Sequence, residues 1–252
     1  MFVKHPIAAA LVAATTLFSL TAGCSTPTSK PTAAPAAAAP APAPAAAAPA
    51  AAPKVKVDYT KMSPSALAEH LIFETDSFDL KQPTQEGTTG RDRLTQDEIQ
   101  KTCSVGKGQT VNDKALDKVR AIAEKSIKYP EGGIKLGDWK NGRELAWSGF
   151  GFRTAHNPDD HSNRAPGGNC YNCHQIATDR TGGNIGPELT GFGKLRGRDP
   201  DTIKYAYDVI YNPHAYFPCT DMPRSGSSGV LTQAQIQDIL AYLFDPASPV
   251  NK

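Results

Sequence analysis

Beyond residue 58, apolar residues recur mainly at helical spacing. Leu116, Val119, Ile122 and Ala123 fall on one face of a helical pattern spanning residues 94 to 127. Upstream, Ser63-Pro64 ahead of Leu67, Leu71 and Ile72 predicts a short capped helix. Tyr129-Pro130-Glu131-Gly132-Gly133 breaks the pattern, and further helices are expected from Asp138 to Trp147 and from about Asp199 to Tyr211. The last helix has Thr232 as N-cap, buries Ile236, Ile239, Leu240 and Leu243, and stops at Asp245-Pro246. Two stretches lack a period, the polar one from Gly149 to Gly168 and the Gly/Pro-rich one from Gly182 to Gly193. Strand-like alternation is scarce, so the pattern predicts an all-α fold. Leu-Thr-Gln-x-x-Ile-Gln occurs at 94–100 and again at 231–237, but its surroundings do not repeat, which points to shared capping rather than duplication.

The N-terminus follows another rule. Lys4 and His5 precede an apolar run from Ile7 to Leu20, too short to span a bilayer. The run ends on Leu20-Thr21-Ala22-Gly23-Cys24, which reads as an export signal closing on a bacterial lipobox. Cys24 is the candidate lipidation site, where several acyl chains would tether the protein to a membrane at about 0.8 kcal/mol per buried methylene. Ordinary cleavage nearby, leaving a soluble periplasmic protein, is the alternative. Residues 25 to 53 are almost entirely Ala and Pro. Proline blocks helix and no large apolar side chain is there to bury, so a linker of polyproline II character is expected. Extended, it reaches on the order of 90 Å.

Charge excludes one class of partner. The chain has 27 basic and 25 acidic residues, and no basic-aromatic stripe argues for nucleic acid. Export would place Cys103, Cys170, Cys173 and Cys219 in an oxidising compartment.

Cys170-Tyr171-Asn172-Cys173-His174 has the C-x-x-C-H form of a haem-attachment segment. Cysteines three apart on one helical turn present both sulfurs to the two vinyl groups of a haem, and the adjacent histidine offers its imidazole to the iron. A zinc site would want a second close ligand pair, and a thioredoxin-like pair would want a βαβ context. Neither is evident. One covalently bound haem c is therefore expected, with Cys170 and Cys173 as anchors and His174 as axial ligand. The candidate sixth ligand is Met222, in Pro218-Cys219-Thr220-Asp221-Met222-Pro223 between two helices. Met62 is the other methionine past the signal, and His214, His156 and His161 are rivals expected at the surface. Pro187, in Asn184-Ile185-Gly186-Pro187-Glu188-Leu189, is the candidate carbonyl for the ring N–H of the ligand histidine. Cys103 and Cys219, the unclaimed pair, are expected to form a disulfide, worth about 4.7 kcal/mol in the chain-entropy model for a loop of that size. Lys194 and Arg196 are candidate partners for haem propionates or a docking protein, or simply a solvated basic loop.

Several segments resemble the SoxX family, the cytochrome subunits of SoxXA complexes in bacterial thiosulfate oxidation. They are Asp92 to Glu98 through Cys103-Ser104, Ile127-Lys128-Tyr129-Pro130, Leu136 to Lys140, and Gly167 to Gln175 around the haem motif. Ile185-Gly186-Pro187, Gly193 to Gly197, Ile210-Tyr211-Asn212, Cys219 to Arg224, Leu231-Thr232 and Asp245 to Asn251 complete the resemblance, over roughly residues 75 to 251. Ser225 departs from the family's usual aromatic, and the 155 to 166 loop departs freely. The resemblance implies an all-α class I cytochrome c fold with an N-terminal helical extension. The expected organisation is signal peptide 1–23, lipid anchor and Ala/Pro linker 24–57, helical extension 58–135 and cytochrome c domain 136–252. In that fold the first and last helices cross, and Gly142 is the candidate for close approach to Tyr242 or Phe244.

The resemblance also implies partners: SoxA as the other half of a heterodimer, the SoxYZ carrier whose cysteine accepts thiosulfate, and a small soluble cytochrome c as electron acceptor. On that reading this chain takes electrons as part of an L-cysteine S-thiosulfotransferase and supplies no catalytic residue of its own. A periplasmic location, membrane-tethered through Cys24, goes with it. The alternatives are a free-standing carrier serving a terminal oxidase or reductase, and a haem enzyme such as a peroxidase with an open sixth position.

Overall fold

A computed structural model describes residues 57–84, 87–151 and 165–252. Eight α-helices are present among them: α1 (Pro64–Glu69), α2 (Gly90–Leu94), α3 (Glu98–Cys103), α4 (Asp113–Ser126), α5 (Trp139–Trp147), α6 (Phe192–Arg196), α7 (Pro200–Tyr211) and α8 (Gln233–Phe244). The only strand-like feature among the described residues is an isolated bridge between Pro83 and Thr89. The fold is all-α, and no helix of the described residues is long and apolar enough to cross a membrane.

Local chemistry sets most helix starts. Ser63, Asn112, Asp138, Asp199 and Thr232 each accept a backbone N–H of the following first turn, satisfying donors that a helix leaves orphaned. Asp97 and Gln100 form a reciprocal capping box on α3, as Thr232 and Gln235 do on α8. The helical pattern of 94–127 proves to be two helices. Between α3 and α4 the chain turns through Gly108 at φ 78°, a conformation that suits a residue without a Cβ, and Asn112 starts a new helix.

The main core forms where α5 crosses α8. Ile236, Leu240, Tyr242 and Phe244 of α8 are fully buried, with Leu145 and Ala146 of α5 and Tyr207 of α7 around them. Gly142 makes the crossing possible, but its neighbours are not Tyr242 or Phe244. A Cβ at Gly142 would overlap the carbonyl of Asp238 and sit 2.9 Å from the Ile239 nitrogen, so the helices meet one turn earlier along α8. Asp238 fastens the junction: its carboxylate accepts from the Asp138 N–H (2.7 Å) and the Asn141 side-chain amide (2.6 Å). A smaller core gathers Ile99 of α3, Val119 and Ala123 of α4, and Ala215.

Candidate functional site

The Cys170–His174 segment packs on the α5–α8 core. Asn169 adopts a left-handed conformation (φ 50°) and opens a single 3-10 turn, Cys170–Asn172. The Cys170 carbonyl accepts from both Cys173 N–H (3.2 Å) and His174 N–H (2.9 Å), which tightens the turn. Neither cysteine is paired in a disulfide. Burial pushes the Cys170 thiol up to about 11, because the thiolate would lose its hydration. Between them Tyr171 is buried, its hydroxyl 2.6 Å from that of Tyr242 and its ring edge-on to Trp147 at 5.3 Å.

The Gly/Pro-rich loop wraps this turn with backbone donors. Gly183 N–H donates to Tyr171 O and Gly186 N–H to Cys173 O, each at 2.8 Å, while Gly182 N–H donates to the Gln175 side chain at 2.7 Å. Gly186 lies against the His174 ring, where a Cβ would come within 2.6 Å of Nδ1. His174 Nδ1 is 2.7 Å from the Pro187 carbonyl oxygen. A carbonyl can only accept, so Nδ1 carries a proton, and in the neutral imidazole Nε2 keeps its lone pair. The loop after the motif is also clasped to α5. Arg143 pairs with Asp179 (2.7 Å) and Arg180 with Glu144 (3.3 Å), and the Arg180 guanidinium lies 4.6 Å from the centre of the Trp147 ring. Sequence reading missed this clasp, because charges 36 residues apart leave no local pattern.

These residues fit a covalently held haem. Cys170 and Cys173 would hold it as thioethers and His174 Nε2 would ligate the iron, with Pro187 orienting the imidazole. Ile185, apolar yet 77% exposed and adjoining Gly186 at the His174 ring, is a side chain that a flat apolar ring would find uncovered. No group of three or more His, Cys, Asp or Glu among the described residues is arranged to hold a metal ion.

The remaining candidates are placed as follows. Met222 is half-buried and packs, like Cys170, against the main core. Met62 caps the 3-10 turn Tyr59–Lys61. His214 is not at the surface: it is 7% exposed, and its Nδ1 accepts the Cys219 N–H at 3.0 Å. Desolvation lowers its pKa below the ordinary histidine value, with Arg224 adding to the effect. Cys103 and Cys219 are joined by a disulfide. Lys194 and Arg196 lie exposed on α6, where Lys194 N–H donates to the Asn251 side chain. His156, His161, Cys24, the signal and the Ala/Pro linker lie outside the described residues.

Two comparisons bear on this arrangement. Residues 164–245 match the family described as Cytochrome c. A protein of Aquifex aeolicus (strain VF5), named "Uncharacterized lipoprotein", is 41% identical over 164 residues, covering 62% of this chain and 73% of the relative.

Proposed function

We propose that this chain, whose residues 164–245 match the cytochrome c family, is the electron-accepting subunit of a thiosulfate-oxidising complex of the SoxXA type. When bound, haem c supplies a one-electron iron(III)/iron(II) couple. The chain's own part is to anchor it through Cys170 and Cys173 and to ligate it with His174 and Met222. The observation that carries the electron-transfer reading is the 2.7 Å contact from His174 Nδ1 to the Pro187 carbonyl, beside two cysteines that take no part in a disulfide. It commits the imidazole proton away from Nε2 and fixes the ring in one orientation. Thioether ligation by Met222 raises the reduction potential relative to a second histidine, as suits an electron acceptor.

The thiosulfate assignment is supported by the resemblance of separate segments over roughly residues 75 to 251. On this reading the carrier thiol and thiosulfate join as a carrier–S–S–sulfonate, releasing one proton and two electrons. This chain accepts those electrons one at a time and hands them to a small soluble cytochrome c. The SoxA partner holds the sulfur chemistry. Residues 136–252 form the cytochrome domain and 58–135 its extension. Export followed by lipidation at Cys24 would keep it at a membrane, which the lipoprotein name of the Aquifex relative supports.

The test mixes oxidised holoprotein with thiosulfate, the SoxYZ carrier and purified SoxA. Reduction of its haem, seen as growth of the ferrous α-band, is expected only when all are present. Omitting either protein should abolish it. An unchanged ferric spectrum with all of them would overturn the Sox assignment.

A further inference from the structure

The loop bearing Met222 is tied on both sides to one short helix. Cys219, three residues before Met222, is bonded to Cys103, the last residue of α3. Arg224, two residues after it, holds Nη1 2.5 Å from Oδ2 of Asp97, the N-cap of α3. The other Asp97 oxygen accepts the Gln100 N–H at 2.9 Å, so the same carboxylate starts the helix and grips the loop. The helix is itself seated, since Ile99 is 3% exposed in the small core with Val119, Ala123 and Ala215. Inside the loop, Cys219 sits at φ 62°, a region that side chains other than glycine seldom occupy, and its N–H is held by buried His214. All of α3 lies outside residues 164–245, the part that matches the cytochrome c family.

We propose that α3 is a splint that positions the Met222 sulfur, so that Asp97 and Cys103, outside the matched cytochrome segment, set how firmly the sixth ligand is held. The inference rests on Met222 being the ligand. A loop free to wander loses conformational entropy each time its sulfur binds, and a loop already fixed at two points has lost that freedom in advance. The two ties differ in kind. The Arg224–Asp97 pair is partly exposed (21% and 47%) and weakens with salt, whereas the disulfide does not.

The test uses oxidised full-length holoprotein and two readouts, the sulfur-to-iron charge-transfer band at the red edge and the affinity for added imidazole, which competes with Met222. Three forms are compared with the unaltered protein: Arg224→Gln, Asp97→Asn, and protein whose disulfide has been reduced and alkylated before the iron is reoxidised. Opening the disulfide should weaken the band and tighten imidazole binding about tenfold, in proportion to the fraction of loop released. The two ion-pair variants should shift it a few-fold in the same direction at low salt, with Arg224→Lys restoring most of it. Thermal midpoints recorded alongside separate loosening of the ligand from general instability. An intact band and unchanged imidazole affinity in all three forms would overturn the splint while leaving Met222 as ligand. Absence of the band from the unaltered protein would instead remove Met222, and the splint with it.

Discussion

The hydroxyls of Tyr171 and Tyr242 meet 2.6 Å apart inside the core, joining the Cys170–Asn172 turn directly to α8. Tyr171 is flanked by Cys170 and Cys173, so this contact locks the turn to the helix crossing. Removing one hydroxyl strands the other where water cannot reach it. Tyr171→Phe or Tyr242→Phe alone should each cost about 1–3 kcal/mol in denaturant unfolding of the holoprotein. The double variant should cost clearly less than the sum, because both members of the pair are gone. Strict additivity would show that the hydroxyls do not interact.

Burial of the core phenols gives a stability profile with a definite sign. Tyr207 is fully buried and donates to the Lys128 carbonyl at 2.8 Å, and its pKa is pushed up to about 12, first by desolvation and then by Tyr211 and Asp208. Tyr242 and Tyr171 shift upward too, for the same leading reason. An unfolded phenol ionises near pH 10, so between about 10 and 12 the native state keeps a proton that the unfolded chain has lost. Stability is therefore fully present below about pH 10 and falls above it, by about 1.4 kcal/mol per pH unit for each such group. Denaturant midpoints at pH 8, 10 and 11 check this, and Tyr207→Phe should flatten the decline.

Much of this architecture is written in local chemistry. Asp138, Asp199 and Thr232 can be read as helix starts because an N-cap acts on its own next turn, and the C-x-x-C-H turn is legible because its spacing is its geometry. What escapes is whatever depends on register between distant elements. Gly142 stands out as a contact glycine, but only the crossing of α5 and α8 decides that Asp238 is its neighbour. His214 looks like a surface histidine in sequence, and it is buried because the Pro213–Ala215 turn tucks beneath α4 and the Cys219 N–H needs an acceptor. The five-residue helices α2 and α6 are too short to show a period, and the break between α3 and α4 rests on Gly108 and Asn112 rather than on any apolar change.

Two neighbouring substitutions should separate backbone from side-chain roles at His174. Pro187 contributes only its carbonyl oxygen to His174, and every residue has one, so Pro187→Ala should keep the 2.7 Å bond and nearly normal haem content. Gly186 contributes the absence of a Cβ. Adding one would place a methyl 2.6 Å from Nδ1 and closer still to Cε1, a clash that backbone and ring must relieve together. Gly186→Ala should thus turn the imidazole away from the Pro187 carbonyl, lower the haem bound per chain, and destabilise the protein by about 1–3 kcal/mol. Haem per chain from the pyridine haemochrome, with denaturant unfolding of each variant, decides between them. If alanine at 186 is tolerated and alanine at 187 is not, then the ring is held by the stiffness of proline, and the close approach of the glycine backbone has no part in orienting it.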